Sequence, residues 1–328
     1  MTELTSLPGK VVVAGGGGFI GGHLVARLVR DGYDVRSVDC KPLGEWFQVF
    51  REAENLQLDL MEPEACRKAV DGSGTVFNLA ADMGGMGFIE LNKAACMLSV
   101  LTSTQMLVAA RDAGVERYFY SSSACVYPAD RQRDPNVLAL KESDVYPADP
   151  EDGYGWEKLF GERMCRHFHE DFGLEARVAR YHNVYGPHGT WRGGREKAPA
   201  AICRKVATAK TTGDHSIEIW GDGEQTRSFT YIDDCIEGTL RLMKSDVSEP
   251  INIGSAELIA INDLVTMVED IAEVRLQRSY DLTAPQGVRG RNSDNDLINE
   301  LLSWSPMTPL ADGLRATYEW VLREMSTG

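Results

Sequence analysis

Apolar positions along the first third of the chain switch repeatedly between two spacings. Lys10–Ala14 is a continuous apolar run of strand length, Ile20–Asp31 has helical spacing, and Tyr33–Val38 returns to a strand. Pro63–Val70 then reads as a helix, Thr75–Leu79 as a strand, Leu98–Ala113 as a long helix and Arg117–Ser121 as a strand. Continuous apolar strands alternating with helices predict a parallel sheet covered on both faces, because such strands are buried on both sides. Past Pro187 the pattern loosens. Glycines, basic residues and a short strand (Ser216–Trp220) interrupt it before helices return at Asp233–Met243 and Asn262–Ala272. The expectation is a doubly wound α/β sheet with a smaller mixed α/β lobe, the two interleaved along the chain.

Composition narrows the partners. The chain has 34 Lys+Arg against 49 Asp+Glu, a net charge of −15 that argues against nucleic acid or an acidic membrane surface as partner. An anionic small ligand stays open, since a pocket can be locally positive on an acidic surface. No apolar run approaches the roughly 18 residues of a membrane span, and Met1–Pro8 lacks the pattern of a secretory signal. The 7 cysteines stand at least 26 residues apart, which predicts reduced thiols in the cytoplasm rather than a disulfide framework. The 6 histidines include no H-E-x-x-H, so no dedicated metal site is expected.

The first strand runs into Gly15-Gly16-Gly17-Gly18-Phe19-Ile20-Gly21-Gly22, and the first helix opens within it. Gly15, Gly18 and Gly21 give the spacing of a turn whose backbone can touch a pyrophosphate at a helix start. Asp39 ends the second strand, 18 residues after Gly21, where a carboxylate can accept hydrogen bonds from a ribose diol. These features predict a Rossmann-type dinucleotide domain. Asp39 favours NAD over NADP by repelling a 2′-phosphate, a preference that Arg36 and Lys41 blunt slightly.

Tyr154 and Lys158 are four residues apart, on one face of a helix. A phenol with its reference pKa of about 10 is a poor base at neutral pH, and the expectation is that the ammonium lowers it. Ser123, near the end of the strand that begins at Arg117, is placed to hold the same hydroxyl. Alone, a Tyr-x-x-x-Lys is usually a surface pair; downstream of a dinucleotide turn it reads as catalytic.

This combination resembles the extended short-chain dehydrogenase/reductase family along almost the whole chain. Further landmarks are Asn78-Leu79-Ala80-Ala81, Asn183-Val184-Tyr185-Gly186-Pro187, Arg227-Ser228-Phe229-Thr230-Tyr231-Ile232-Asp233-Asp234 and Asn252-Ile253-Gly254. Longer strings, such as Ala80 to Phe88, Ser122 to Pro128, Gly193 to Ala201 and Gly287 to Asp294, are similar to the GDP-mannose 3,5-epimerase group. The resemblance implies a Rossmann-type NAD domain over residues 1–186 and about 229–256, and a GDP-sugar lobe over 187–228 and 257–328. It implies bound NAD held by Gly15, Gly18, Phe19, Ile20, Gly21, Asp39, Asp59, Leu79, Ala80, Ala81, Tyr154 and Lys158. The GDP-sugar would meet Gly84, Met86, Gly87, Ser123, Asn183, Glu196, Lys197, Ala198, Lys205, Gln225, Arg227, Ser228 and Arg289, with Arg291 a further cation for the diphosphate. A homodimer through Leu98–Ala113 and Tyr154–Phe172 is also implied.

The implied chemistry oxidises C4 of the hexose, which acidifies the hydrogens at C3 and C5. Inverting a carbon then takes a base on one face and an acid on the other, and the matching positions are Cys125 and Lys197. Two places depart from the family. Its asparagine-rich stretch reads here Met97-Leu98-Ser99-Val100-Leu101, and Ala14 stands where threonine is usual. The first removes an amide that supports cofactor and lysine, which leaves a rival reading: a non-redox GDP-hexose isomerase, such as a pyranose–furanose mutase acting on a GDP-fucose- or GDP-galactose-like sugar, assisted by a divalent ion on the diphosphate.

Overall fold

The computed structural model describes residues 6–327. The first five residues, part of the Met1–Pro8 segment, lie outside the described residues. Strands β1 (Lys10–Ala14), β2 (Val35–Asp39), β3 (Glu54–Gln57), β4 (Ser73–Asn78), β5 (Arg117–Ser123) and β6 (Glu175–Tyr181) join a short strand, Ile251–Ile253, in one sheet. The order is Ile251–Ile253, β6, β5, β4, β1, β2, β3, and every neighbouring pair is parallel. Strand order reverses between β1 and β4. That reversal opens a crevice at the carboxyl ends of the strands.

Burial on both faces explains the uninterrupted apolar strands. Val11 and Val13 of β1 pack with Leu24, Leu28, Phe77 and Phe119 on one face, and Val12 and Ala14 pack with Val76, Met106, Leu107 and Ala110 on the other. Each fully buried valine or leucine contributes about 1.5–3 kcal/mol. Helices α1 (Phe19–Arg30), α2 (Pro63–Val70), α3 (Met86–Leu91), α4 (Lys93–Asp112) and α5 (Asp152–Phe172) flank this sheet or lie at its carboxyl edge. Contrary to the sequence expectation, α4 is long and apolar enough by composition to cross a membrane, with a mean hydropathy of 1.3. Its buried side nevertheless carries Ser99, Thr102 and Ser103, so the helix packs by polar contacts as well as apolar ones.

In the lobe, α6 (Ala198–Thr212), the helix Ile261–Ala272 and the helix Leu310–Thr327 share a core of Ile202, Val206, Leu264, Val268, Leu314 and Val321. One boundary differs from expectation. Residues 257–328 do not all belong to the lobe, because the helix Asp296–Leu302 buries Ile298 and Leu302 against the large sheet. A small sheet sets Thr226–Ser228 between antiparallel Leu258–Ala260 and parallel Gly290–Arg291, with Arg227 and Arg291 as register partners.

Candidate active site

The glycine turn leaves no room for side chains. Gly15 has φ of +83°, a Cβ on Gly21 would lie 2.0 Å from the Gly15 carbonyl oxygen, and one on Gly16 would lie 2.1 Å from Ser37 Oγ. Gly18 precedes α1, whose start at Phe19 and Ile20 has no side-chain cap, so its first-turn amides are free to face an anion. Asp39 is buried at the end of β2, and its Oδ1 accepts the Lys41 backbone N–H at 3.1 Å. Its carbonyl accepts from Leu58 N, which brings exposed Asp59 alongside. Leu79, Ala80 and Ala81 follow β4 across the crevice, with Leu79 N bonded to Ala14 O.

The two cations expected to soften the NAD preference are occupied. Lys41 Nζ donates to Gly17 O at 2.8 Å, and Arg36 donates to Glu54 and to carbonyls at the end of α2. The cradle, the free helix start and an acid with no nearby unengaged cation fit NAD.

At the ends of β5 and α5, Tyr154 and Lys158 are both buried. The Tyr154 hydroxyl is hydrogen-bonded to Ser123, and Ser123 Oγ accepts Cys125 N at 3.2 Å. Lys158 Nζ lies 5.5 Å from the centre of the Tyr154 ring and 5.0 Å from that of Tyr120. The expected lowering of the phenol does not hold. Burial pushes Tyr154 well above 10, the charges of Cys125 and Glu157 add to that, and the Ser123 hydrogen bond opposes it.

The departure on α4 is compensated by hydroxyls. Ser99 Oγ accepts from Asp82 N at 2.9 Å, holding the chain just past Ala81, while Leu98 faces outward. Ser103 Oγ donates to Glu157 Oε1 at 3.3 Å, and Glu157 Oε2 lies 3.5 Å from Lys158 Nζ. Glu157 and Ser103 thus form a support for the lysine that motif reading missed. The signal was the carboxylate immediately before Lys158, inside the Tyr-x-x-x-Lys segment.

Cys125 sits in a single helical turn, Ala124–Val126, directly after β5. Lys197 immediately precedes α6. The two interact electrostatically, and burial lowers the Lys197 amine from its usual 10.5. Arg291 joins them: its Nη1 lies 3.6 Å from Cys125 Sγ, its Nε donates to Gln132 Oε1 at 2.7 Å, and it pairs with Glu151. By contrast, Arg289 makes a two-pronged contact with Asp222 at 2.7 and 2.8 Å. Of these two arginines, the structure brings Arg291 to the thiol.

The remaining substrate candidates are spread over both halves of the molecule. Met86 and Gly87 open α3, just after Gly85, whose N–H donates to Arg195 O. Gly84 is so close to Arg195 and Phe88 that a Cβ would lie within 3.2 Å of both. Asn183 adopts φ of +40° and donates to Ser228 O at 3.0 Å. Glu196 bonds Gly194 N and Arg204, just ahead of Ala198 at the start of α6. Lys205 Nζ donates to Glu218 O at 2.7 Å. Gln225 Oε1 and Ser228 Oγ are buried without a partner, so both are free for a ligand. Arg227 donates to Thr226 and Val288 carbonyls, and burial lowers it to about 10, which leaves it charged at neutral pH.

Comparison with known proteins gives a family. The model of the NAD dependent epimerase/dehydratase family matches residues 11–254. This chain belongs to that family. A GDP-mannose 3,5-epimerase of Arabidopsis thaliana is 49% identical over 317 residues, 96% of this chain and 83% of that protein. A UDP-glucose 4-epimerase of Thermotoga maritima, solved with UDP-glucose, superposes with a TM-score of 0.86 at 25% identity, covering 96% of this chain and 99% of that one. The UDP-glucuronic acid 4-epimerase of Bacillus cereus, in complex with UDP-glucuronic acid and NAD, gives 0.81 at 26% identity over 96% and 99%.

For an NAD dependent epimerase/dehydratase the arrangement is a division into two acid/base sets. Tyr154, Ser123 and Lys158 stand on the Rossmann side, where an alcohol proton can move. Cys125 and Lys197 stand where the lobe meets the sheet, and they are a second pair able to move a proton at carbon. Among the described residues no group of three or more His, Cys, Asp or Glu side chains is placed to hold a metal ion.

Proposed function

We propose that this protein epimerises GDP-mannose at C3 and C5. The single observation that carries this reading is the second acid/base pair, Cys125 with Lys197, beside the alcohol-oxidising set of Tyr154, Ser123 and Lys158. An epimerase that inverts only the oxidised carbon has no use for such a pair. The relatives named for GDP-mannose support the choice of sugar nucleotide.

NAD, held by the Gly15–Gly21 turn and Asp39, would supply a hydride acceptor and donor for C4. Tyr154 takes the C4 hydroxyl proton, with Ser123 holding the same oxygen. A ketone at C4 makes the C3 and C5 protons labile. Cys125 and Lys197 then remove a proton from one face and deliver one to the other, and Tyr154 gives its proton back as C4 is reduced. Arg227, charged at neutral pH, and the free Gln225 carbonyl lie in the lobe, where a GDP-sugar would be held.

GDP-mannose incubated in deuterated water tests this by NMR, with and without added NAD and divalent metal. Deuterium at C3 and C5 is the expected result. Tight GDP-sugar binding with no label, or turnover of a GDP-6-deoxyhexose after complete removal of dinucleotide, defeats it in favour of the non-redox isomerase.

The proposal extends to a homodimer through α4 and α5. Met97, Leu98 and Leu101 on α4 and Trp156 and Phe160 on α5 are exposed at i, i+3 and i, i+4 spacings, a stripe suited to a second copy. Replacing Leu98 and Trp156 with lysine should halve the mass seen by light scattering; an unchanged mass rules out this face. All seven cysteines are unpaired, which supports a reducing, cytoplasmic setting.

A further inference from the structure

Glu151 immediately precedes α5, three residues ahead of Tyr154, and its carboxylate has no role in the chemistry above. Both of its oxygens are shut off from water. It pairs with Arg291, the guanidinium that reaches Cys125 Sγ at 3.6 Å. Gln132 holds that guanidinium from the other side through Nε at 2.7 Å. Glu151 is tied to the same cysteine through the backbone too, since its N–H donates to Cys125 O at 2.9 Å. Gly155 completes the contact: a Cβ there would lie 2.3 Å from the Cys125 carbonyl oxygen.

We propose that Glu151 is the counter-charge that limits how far Arg291 stabilises the Cys125 thiolate, a positioning role that rests on the epimerase reading of Cys125. Charged and titratable groups face this thiol from every element around it. Arg291 and Arg227 come from adjacent lobe strands, Lys197 from the start of α6, Tyr154 from α5 and Cys96 from α4. Cations predominate in that set. A thiol that must both give and take a proton at carbon is hindered by uncompensated cations, because they hold it as thiolate. A buried carboxylate against the guanidinium offsets the one cation in direct contact with sulfur. The proton then moves between sulfur and substrate carbon at lower cost in either direction.

The test measures the thiol without turnover. In a Cys40→Ser background, which removes the exposed cysteine, the intact protein is treated with iodoacetamide across a pH series. Carboxamidomethylation of Cys125 is then quantified by mass spectrometry of its peptide. Thiolate displaces iodide, so the rate follows ionisation. Glu151→Gln should move the midpoint down by about one pH unit, and Glu151→Asp, whose shorter carboxylate draws back from the guanidinium, should move it down by less. A midpoint that is unchanged or higher in Glu151→Gln overturns the proposal. Should that variant fail to fold, the same two outcomes in Glu151→Asp decide it. No GDP-sugar is present, so a shift without GDP-mannose turnover keeps the Glu151 role and removes the epimerase reading. Turnover without a shift does the reverse.

Discussion

Arg291 and Cys125 come from opposite halves of the molecule and meet at 3.6 Å, the lobe's guanidinium against the thiol that follows β5. The pairing joins the lobe to the Rossmann half through a contact closed off from water, since both residues are buried. Losing a hydrogen bond to a charged group costs about 2–3 kcal/mol, or about 10²-fold in rate if it acts in the transition state. Arg291→Gln should therefore slow product formation from GDP-mannose by about that factor. The first half-reaction, NADH appearance at 340 nm, should survive, because Tyr154 and Ser123 do not contact Arg291. Equal loss of both half-reactions would show that Arg291 serves binding or folding instead.

Tyr154 separates the two acid/base sets. Tyr154→Phe keeps the ring that packs with Ile89, Cys96 and Cys125 and removes only the hydroxyl held by Ser123. Proton transfer by a positioned side chain contributes about 10²–10⁴-fold, so NADH appearance should fall by that much while the melting temperature changes little. Deuterium at C3 and C5 should vanish too, because those hydrogens become acidic only after C4 is oxidised. Label retained in the phenylalanine variant would mean that carbon inversion proceeds without the ketone. Cys125→Ser gives the complementary pattern: NADH appears, and label does not.

The large sheet was legible because its central strands are buried on both faces and therefore apolar throughout; β1 has the limits that its pattern predicts. Three of its seven strands escaped, the short Ile251–Ile253 and two others whose burial explains why. Glu54–Gln57 is an edge strand with both faces partly in water, so it has no apolar run. β6 buries Arg177 and Arg180, polar residues that break the pattern because each is satisfied by a partner, Ser245 O and Glu162. The glycine turn and the Tyr154–Lys158 pair stand out by close spacing in sequence, whereas Cys125 comes only from the family resemblance. Glu151 and Gln132 were not legible, since each acts on Arg291, which only folding brings near; Glu157 was missed although it directly precedes Lys158. The phenol's shift runs opposite to the expectation because burial raises it and the Cys125 and Glu157 charges add to that.

His182 sets an acid limit on the protein. It ends the strand region just before Asn183, fully buried, with Nε2 3.0 Å from Asn252 Oδ1, an oxygen that also accepts from Tyr127. Its carbonyl accepts from Thr230 Oγ1 at 2.8 Å, which ties this segment to the short strand Thr230–Tyr231. Burial, aided by repulsion from Arg180, lowers the imidazole from 6.5 to about 4. A depressed histidine favours the folded state fully above the unfolded value and loses that contribution as pH falls from 6.5 towards 4. Between pH 7 and pH 5 the loss amounts to about 2 kcal/mol for this one group. His182→Gln, which cannot ionise, should show a pH dependence of urea unfolding weaker by about that amount over the same interval. Its stability at pH 7 should be lower, since the glutamine must replace the contact with Asn252. Parallel pH profiles for the two proteins would place the acid sensitivity elsewhere.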